Sequence, residues 1–130
     1  DQDAAQAKIK VNSDSLIQIM INLVDNAIKF SAKTDKKVIE LSCHLLTTGC
    51  VQFKVRDFGP GVAKDQMKKI FKLFYRSENE LTRETIGTGI GLALAHQMTM
   101  NMNGKIDVVN VKPGAEFRIN FPVAKFSKNS

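Results

Sequence analysis

The sequence predicts an α+β fold, with helices laid on one face of a mostly antiparallel sheet in a two-layer sandwich. Three observations point there. Apolar residues recur at helical spacing over 12–31 and again over 92–102. Two pairs of alternating apolar and polar runs flank short turns, which is the pattern of two hairpins. The chain has 130 residues, 43% hydrophobic and 25% charged, enough for one core and too apolar for disorder. A single domain over 1–130 is expected, with about five strands in a mixed, mostly antiparallel sheet packed on three helices.

The elements follow in chain order. Residues 7–11 suit a short edge strand. Asn12 or Ser13 offers an N-cap and Asp14 a first-turn acid, so a helix starts there. Leu16, Ile19, Met20, Leu23, Ala27 and Phe30 then form its apolar stripe, ending near Phe30 or Ser31. Over 38–46, Ile39, Leu41, Cys43 and Leu45 alternate with polar residues. Thr47-Thr48-Gly49 turns the chain, and Val51, Phe53 and Val55 alternate on the return. Asp57-Phe58-Gly59-Pro60-Gly61 breaks that strand. A short helix is expected over 64–71, with Met67, Ile70 and Phe71 inward. Residues 77–86 are polar and read as a mobile loop. Gly87-Thr88-Gly89-Ile90-Gly91 leads into a helix over 92–102, which Asn103-Gly104 stops. Residues 105–111 and 116–122 form a second hairpin turned at Lys112-Pro113-Gly114, and the tail from Lys125 is expected to fray.

Composition excludes several classes. No apolar run approaches the roughly 20 residues that span a bilayer, and residues 1–10 lack a signal core. The chain is therefore expected to be soluble, a cytoplasmic piece of a longer protein that could itself be anchored in the inner membrane. The domain alone is expected to be a monomer. Cys43 and Cys50 flank a turn and could face each other across the hairpin, although two reduced cysteines are the plainer expectation. With only His44 and His96 and no CxxC, a structural zinc site is not expected. The net charge of +6 comes from dispersed lysines without interleaved aromatics, so nucleic acid is not the expected partner.

Three clusters carry chemistry. Asn22 and Asn26 lie one helical turn apart, and Lys29 and Phe30 extend the same face. Amide oxygens suit Mg²⁺, and a neighbouring lysine suits phosphate. Taken alone, the group also fits two solvated asparagines. Asp57 ends a buried strand, where its carboxylate could accept from a ligand amine while the glycines let the ligand approach the backbone. Gly87, Gly89 and Gly91 at a helix start free backbone N–H groups for an anion. Their spacing is neither GxGxxG nor the Walker sequence, so neither a dinucleotide fold nor a P-loop is implied.

In combination these clusters resemble a known set. Asn22-Leu23-Val24-Asp25-Asn26-Ala27-Ile28-Lys29-Phe30, Asp57-Phe58-Gly59-Pro60-Gly61-Val62, Ile70-Phe71-Lys72-Leu73-Phe74-Tyr75-Arg76 and Gly87-Thr88-Gly89-Ile90-Gly91-Leu92-Ala93-Leu94 stand in order. They are similar to the N box, first glycine box, F box and second glycine box of sensor histidine kinases. Those kinases belong to the superfamily that includes gyrase, the Hsp90 chaperones and the MutL repair proteins. The resemblance runs from about Ile9 to Pro122.

The resemblance implies the Bergerat ATP-binding fold, a protein-histidine kinase catalytic domain, and ATP and Mg²⁺ as its cofactors. Asn26 would be the metal ligand, Asn22 would support the phosphate–metal site, and Lys29 would contact phosphate. These three make up the implied catalytic set. Phe30 would lie against the adenosine, Asp57 would accept from the adenine amine, and Gly61 would make room for the purine. Gly59, Val62, Ile70, Phe74, Arg76, Gly87, Thr88, Gly89, Ile90, Gly91 and Leu92 complete the nucleotide-facing set, with 77–86 as a closing lid. Hydrolytic relatives typically carry a glutamate at the position of Asn22. An amide cannot act as a general base, which implies transfer of the γ-phosphoryl and not its hydrolysis.

The acceptor would be a histidine on separate dimerisation helices, with a response regulator downstream, because neither His44 nor His96 has an acceptor context. Pro113-Gly114-Ala115-Glu116-Phe117 departs from the commoner Gly-Thr, an expected effect on hairpin and lid packing more than on chemistry. An ATP- or ADP-sensing module without phosphotransfer and an anti-sigma-type serine kinase are the alternative readings.

Overall fold

The computed structural model describes residues 11–31, 34–72 and 91–123. Helix α1 covers Ser13–Ser31. Asn12 caps it: its Oδ1 accepts from the Ser15 N–H at 3.0 Å, and its carbonyl accepts from Leu16 at 2.9 Å. Asp14 in the first turn and Lys29 in the last complement the helix dipole. Ile19, Leu23, Ala27 and Ser31, spaced every four residues, form its buried stripe.

Strands β1 (Glu40–Leu45) and β2 (Cys50–Arg56) form the first hairpin, and β3 (Lys105–Asn110) and β4 (Ala115–Pro122) the second. The sheet order is β1-β2-β4-β3. β4 therefore lies between the hairpins' other strands, and every pairing among the described residues is antiparallel. The parallel component expected from sequence is not found there. Of the predicted strand at 7–11, Val11 is in no strand and the rest lies outside the described residues.

Register also settles the cysteines. Cys43 pairs with Phe53, and Cys50 with Pro122 on β4, so the two thiols do not face each other, and neither is in a disulfide. The turn causes this offset: Leu46 closes it by donating to the Cys50 carbonyl at 2.8 Å, and Gly49 takes φ +87°.

Helix α2 covers Gly91–Asn101. It ends where Asn103 adopts φ +63° and the Gly104 N–H reaches back to the Thr99 carbonyl at 2.9 Å, a left-handed cap. Between β2 and α2 the predicted single helix is instead two 3₁₀ turns, Lys64–Gln66 and Lys69–Phe71. Eight residues with three lysines do not sustain an α-helix, and Ile70 is the residue of the two turns that is buried. Met67, Ile70 and Phe71 do face the core.

The core lies between the sheet and the helices. Phe117, Ile119 and Phe121 on β4 are at most 1% exposed and meet Ile19, Leu23 and Ala95. Burying each of these large side chains contributes on the order of 1.5–3 kcal/mol. Phe71 meets Phe117 edge-on at 6.0 Å. Among the described residues no helix is long and apolar enough to cross a membrane.

Candidate functional site

Two elements bring the site together. One is the last two turns of α1, with Asn22, Asn26, Lys29 and Phe30 on one side. The other is the loop that leaves β2 at Asp57. They touch backbone to backbone: a Cβ on Gly59 would lie 2.6 Å from the Phe30 carbonyl oxygen. Only glycine allows that approach, which sets the loop against the C-terminal end of α1.

Asp57 is 0% exposed. Its Oδ1 accepts from the Gly59 N–H at 2.8 Å, while Oδ2 is buried with no partner. A buried carboxylate oxygen without a donor is costly, and such an atom is well placed to accept from a ligand N–H. Burial pushes the Asp57 carboxyl above its ordinary pKa, opposed by backbone hydrogen bonding at Gly59 and Ala115 and by the Arg56 charge. The folded state therefore takes up a proton more readily than the unfolded chain. The sign follows: in acid Asp57 costs nothing, and stability falls as pH rises through the unfolded and then the folded pKa. Asp57→Asn keeps the acceptor for Gly59 and removes this cost. Thermal melts of the unliganded domain should give a higher Tm for the variant at neutral pH, with the gain vanishing in acid. An equal or lower Tm at neutral pH would contradict this.

The helix side also carries unmet donors. The Nδ2 atoms of Asn22 and Asn26 are buried without partners. Asn22 Oδ1 accepts from Gln18 Nε2 at 3.0 Å. Lys29 pairs with Asp25 at 3.0 Å, in an exposed i,i+4 pair worth well under 1 kcal/mol, so an anionic ligand could draw it away. Among the described residues no cluster of three or more His, Cys, Asp or Glu could cage a metal. An amide oxygen with no protein cage fits a Mg²⁺ that brings its other oxygens with it, from water and phosphate.

Phe58, 7% exposed, is held under two cations: Lys36 Nζ and Arg56 Cζ lie 4.0 and 4.2 Å from its ring centroid. Arg56 also donates to the Pro113 carbonyl at 3.1 Å. Gly114 (φ +103°) is packed so closely that a Cβ would lie 2.0 Å from the Asp57 carbonyl oxygen. The Ala115 carbonyl accepts from the Asp57 N–H at 3.0 Å. The 113–115 departure thus abuts the backbone of Asp57, nearer the candidate site than the hairpin and lid packing that was expected to feel it most.

Of the other sequence-predicted positions, some lie in or beside the core and others are not described. Val62 and Ile70 are 7% and 8% exposed and join the core. Gly91 faces open space, with nothing within 4 Å of a Cβ, so packing among the described residues does not require glycine there. Leu92 is half-buried against the core. Phe74, Arg76, Gly87, Thr88, Gly89, Ile90 and the predicted lid at 77–86 lie outside the described residues. His96 packs on Phe71 at 5.8 Å. An open apolar groove of about 580 Å³ along α1, lined by Ile17, Ile21, Ile28 and Phe53, lies away from the asparagine side and is not this site.

Residues 11–125 match the family of histidine kinase-, DNA gyrase B-, and HSP90-like ATPases. The sensor histidine kinase AtsR of Burkholderia thailandensis is 35% identical over 119 residues, covering 88% of this chain and 19% of that protein. The adaptive-response sensory kinase SasA of a Nostoc species is 35% identical over 116 residues, 88% of this chain and 28% of that one. Full-length ShkA, solved in complex with AMPPNP, superposes with a TM-score of 0.73 at 32% identity over 92% of this chain and 24% of its own. The nucleotide-free catalytic domain of the histidine kinase ThkA gives 0.72 at 27% identity, over 88% of this chain and 70% of that one. The chain spans 19% to 28% of the length of AtsR, SasA and the sensor histidine kinase RppB of a Synechocystis species.

Proposed function

This chain belongs to the histidine kinase-, DNA gyrase B-, and HSP90-like ATPase family, and from that premise we propose that it binds Mg-ATP and transfers the γ-phosphoryl to a histidine. That histidine would sit on dimerisation helices of the same or a paired polypeptide, which then serve a response regulator. The observation that carries the adenine reading is the fully buried Asp57, one oxygen fixed by Gly59 and the other unpartnered. An exocyclic amine is the donor that such an oxygen lacks. Guanine presents a carbonyl there and would leave the carboxylate unmet.

The transfer reading rests on Asn22. Its amide cannot take a proton from water at neutral pH, so the domain is suited to holding ATP for another nucleophile. Bound Mg²⁺ would supply charge neutralisation along the phosphates. Asn26 would present its amide oxygen to that ion, Lys29 would leave Asp25 for a phosphate oxygen, and the start of α2 would face the phosphate chain. These residues position and neutralise; none is asked to form a covalent bond.

The test of transfer is to incubate the domain, Mg-ATP and helices bearing the acceptor histidine. Acid-labile phosphate on the helices is the expected product. Acid-stable phosphoserine on a partner would favour a serine kinase, and nucleotide binding with no transfer would favour a sensing module. Asn26→Ala should weaken Mg-ATP binding about tenfold or more while leaving metal-free ATP binding nearly unchanged. Equal loss with and without Mg²⁺ would remove Asn26 from the metal.

A further inference from the structure

Gly61 was expected to be glycine for the purine's sake, but its surroundings give a nearer reason. It takes φ +82°, and a Cβ there would lie 2.8 Å from Asn110 Oδ1 and 3.3 Å from the Gly114 carbonyl oxygen. Protein, not open space, fills that position. Asn110 stands at the end of β3 and reaches 48 residues back along the chain. Its Oδ1 accepts from the Val62 N–H at 2.8 Å, and its Nδ2 donates to the Val62 carbonyl at 2.7 Å. One amide side chain thus completes both backbone bonds of Val62, as a neighbouring strand would.

We propose that Asn110 is the positioning residue of the base site: its two-point bridge to Val62 holds the 57–62 loop in the conformation that presents Asp57 to adenine. The proposal rests on the adenine reading above. The loop is gripped at both ends by the β3–β4 hairpin. At the Asp57 end the grip is the Ala115 carbonyl and the Gly114 contact, fixed by backbone. At the Val62 end the loop's backbone hydrogen bonds go to the Asn110 side chain. The glycines at 59 and 61 leave the intervening backbone with little stiffness of its own. Without Asn110, the loop keeps its attachment at Asp57 and loses its register at Gly61, where a bound base would sit. Asn110 need not touch the nucleotide.

Calorimetric titration of Mg-ATP into wild type, Asn110→Ala, Asp57→Asn and the double variant tests this. Asn110→Ala should weaken binding about tenfold, the worth of two hydrogen bonds. The double variant should bind no more than about twofold weaker than Asp57→Asn, because the bridge acts through Asp57. A general loss of folding would instead multiply with the Asp57 effect, and multiplied losses would overturn the proposal, as would Asn110→Ala binding within twofold of wild type. Should Asn110→Ala fail to melt cooperatively, Asn110→Asp serves: it keeps the acceptor for the Val62 N–H and loses the donor to the carbonyl. The same tenfold, non-multiplying loss is expected, and wild-type affinity would refute the bridge. Wild type that binds no Mg-ATP overturns the adenine reading and this inference with it. Wild type that binds, with the Asn110 outcomes failing, overturns this inference alone.

Discussion

Replacing Asp57 by asparagine is expected to lower Mg-ATP affinity by about 100-fold and to narrow or reverse the preference for adenine over guanine. The geometry dictates the sign. Asp57 Oδ1 is committed to the Gly59 N–H at 2.8 Å, so an asparagine must keep its oxygen there. Its amide nitrogen then takes the place of the unpartnered Oδ2. A donor would face the adenine amine, also a donor, in a fully buried position. The same amide would suit the guanine carbonyl. Competition between Mg-ATP and Mg-GTP on the two proteins reads this directly. An adenine preference unchanged in the variant would mean that Asp57 does not read the base. The same substitution is expected to stabilise the unliganded fold, and a residue that costs stability yet determines affinity is what a binding site predicts.

Gly114 carries the largest expected effect on folding. Its φ is +103°, and a Cβ would sit 2.0 Å from the Asp57 carbonyl oxygen, 2.8 Å from that carbonyl carbon and 2.9 Å from the Phe58 Cα. All three are backbone atoms at the end of a central strand, so none can swing aside. Gly114→Ala should cost about 3 kcal/mol or more, adding left-handed strain to the clash. For a domain of this size that lowers Tm by roughly 10 °C. Gly91→Ala is the matched control, since among the described residues nothing lies within 4 Å of its Cβ position and it begins a helix. That change should be neutral or stabilising by up to about 1 kcal/mol in the unliganded protein. Thermal melts of the two variants separate the readings. Equal Tm values would mean that the hairpin turn yields where the structure shows it cannot.

Periodicity made much of the fold legible. The stripe from Leu16 to Phe30 repeats every three or four residues, and α1 lies where that stripe lies. The two hairpins announce themselves by alternation and by their turn glycines. Their mutual order does not, because nothing local in β4 says that it will pair with β2. The cysteine offset was hidden for a related reason, since the register depends on which residues close a turn, here Leu46 and Cys50. At 64–71 an apolar triplet suggested a helix, but the segment is too short and too charged to form more than two 3₁₀ turns.

The candidate site divides along the same line. Asn22, Asn26, Lys29 and Asp57 stand in local patterns that can be read from the chain. Asn110, Gly114 and Arg56 do not, because each acts through a contact 48 to 57 residues away. Lys112-Pro113-Gly114 reads only as a turn until β4 is seen beside β2. The loop glycines carried a further ambiguity: Gly59 and Gly61 suit a ligand's approach, and the structure shows each also pressed against protein, at Phe30 and at Asn110.

We propose the loop from Asp57 to Val62, set between α1 and the β3–β4 hairpin, as the adenine site. Titrating Mg-ATP into the wild-type domain by calorimetry, with Asp57→Asn in parallel, tests it most directly. One bound nucleotide per wild-type domain and about 100-fold weaker binding in the variant are expected. Absence of binding to wild type, or equal affinity in the two proteins, would contradict it.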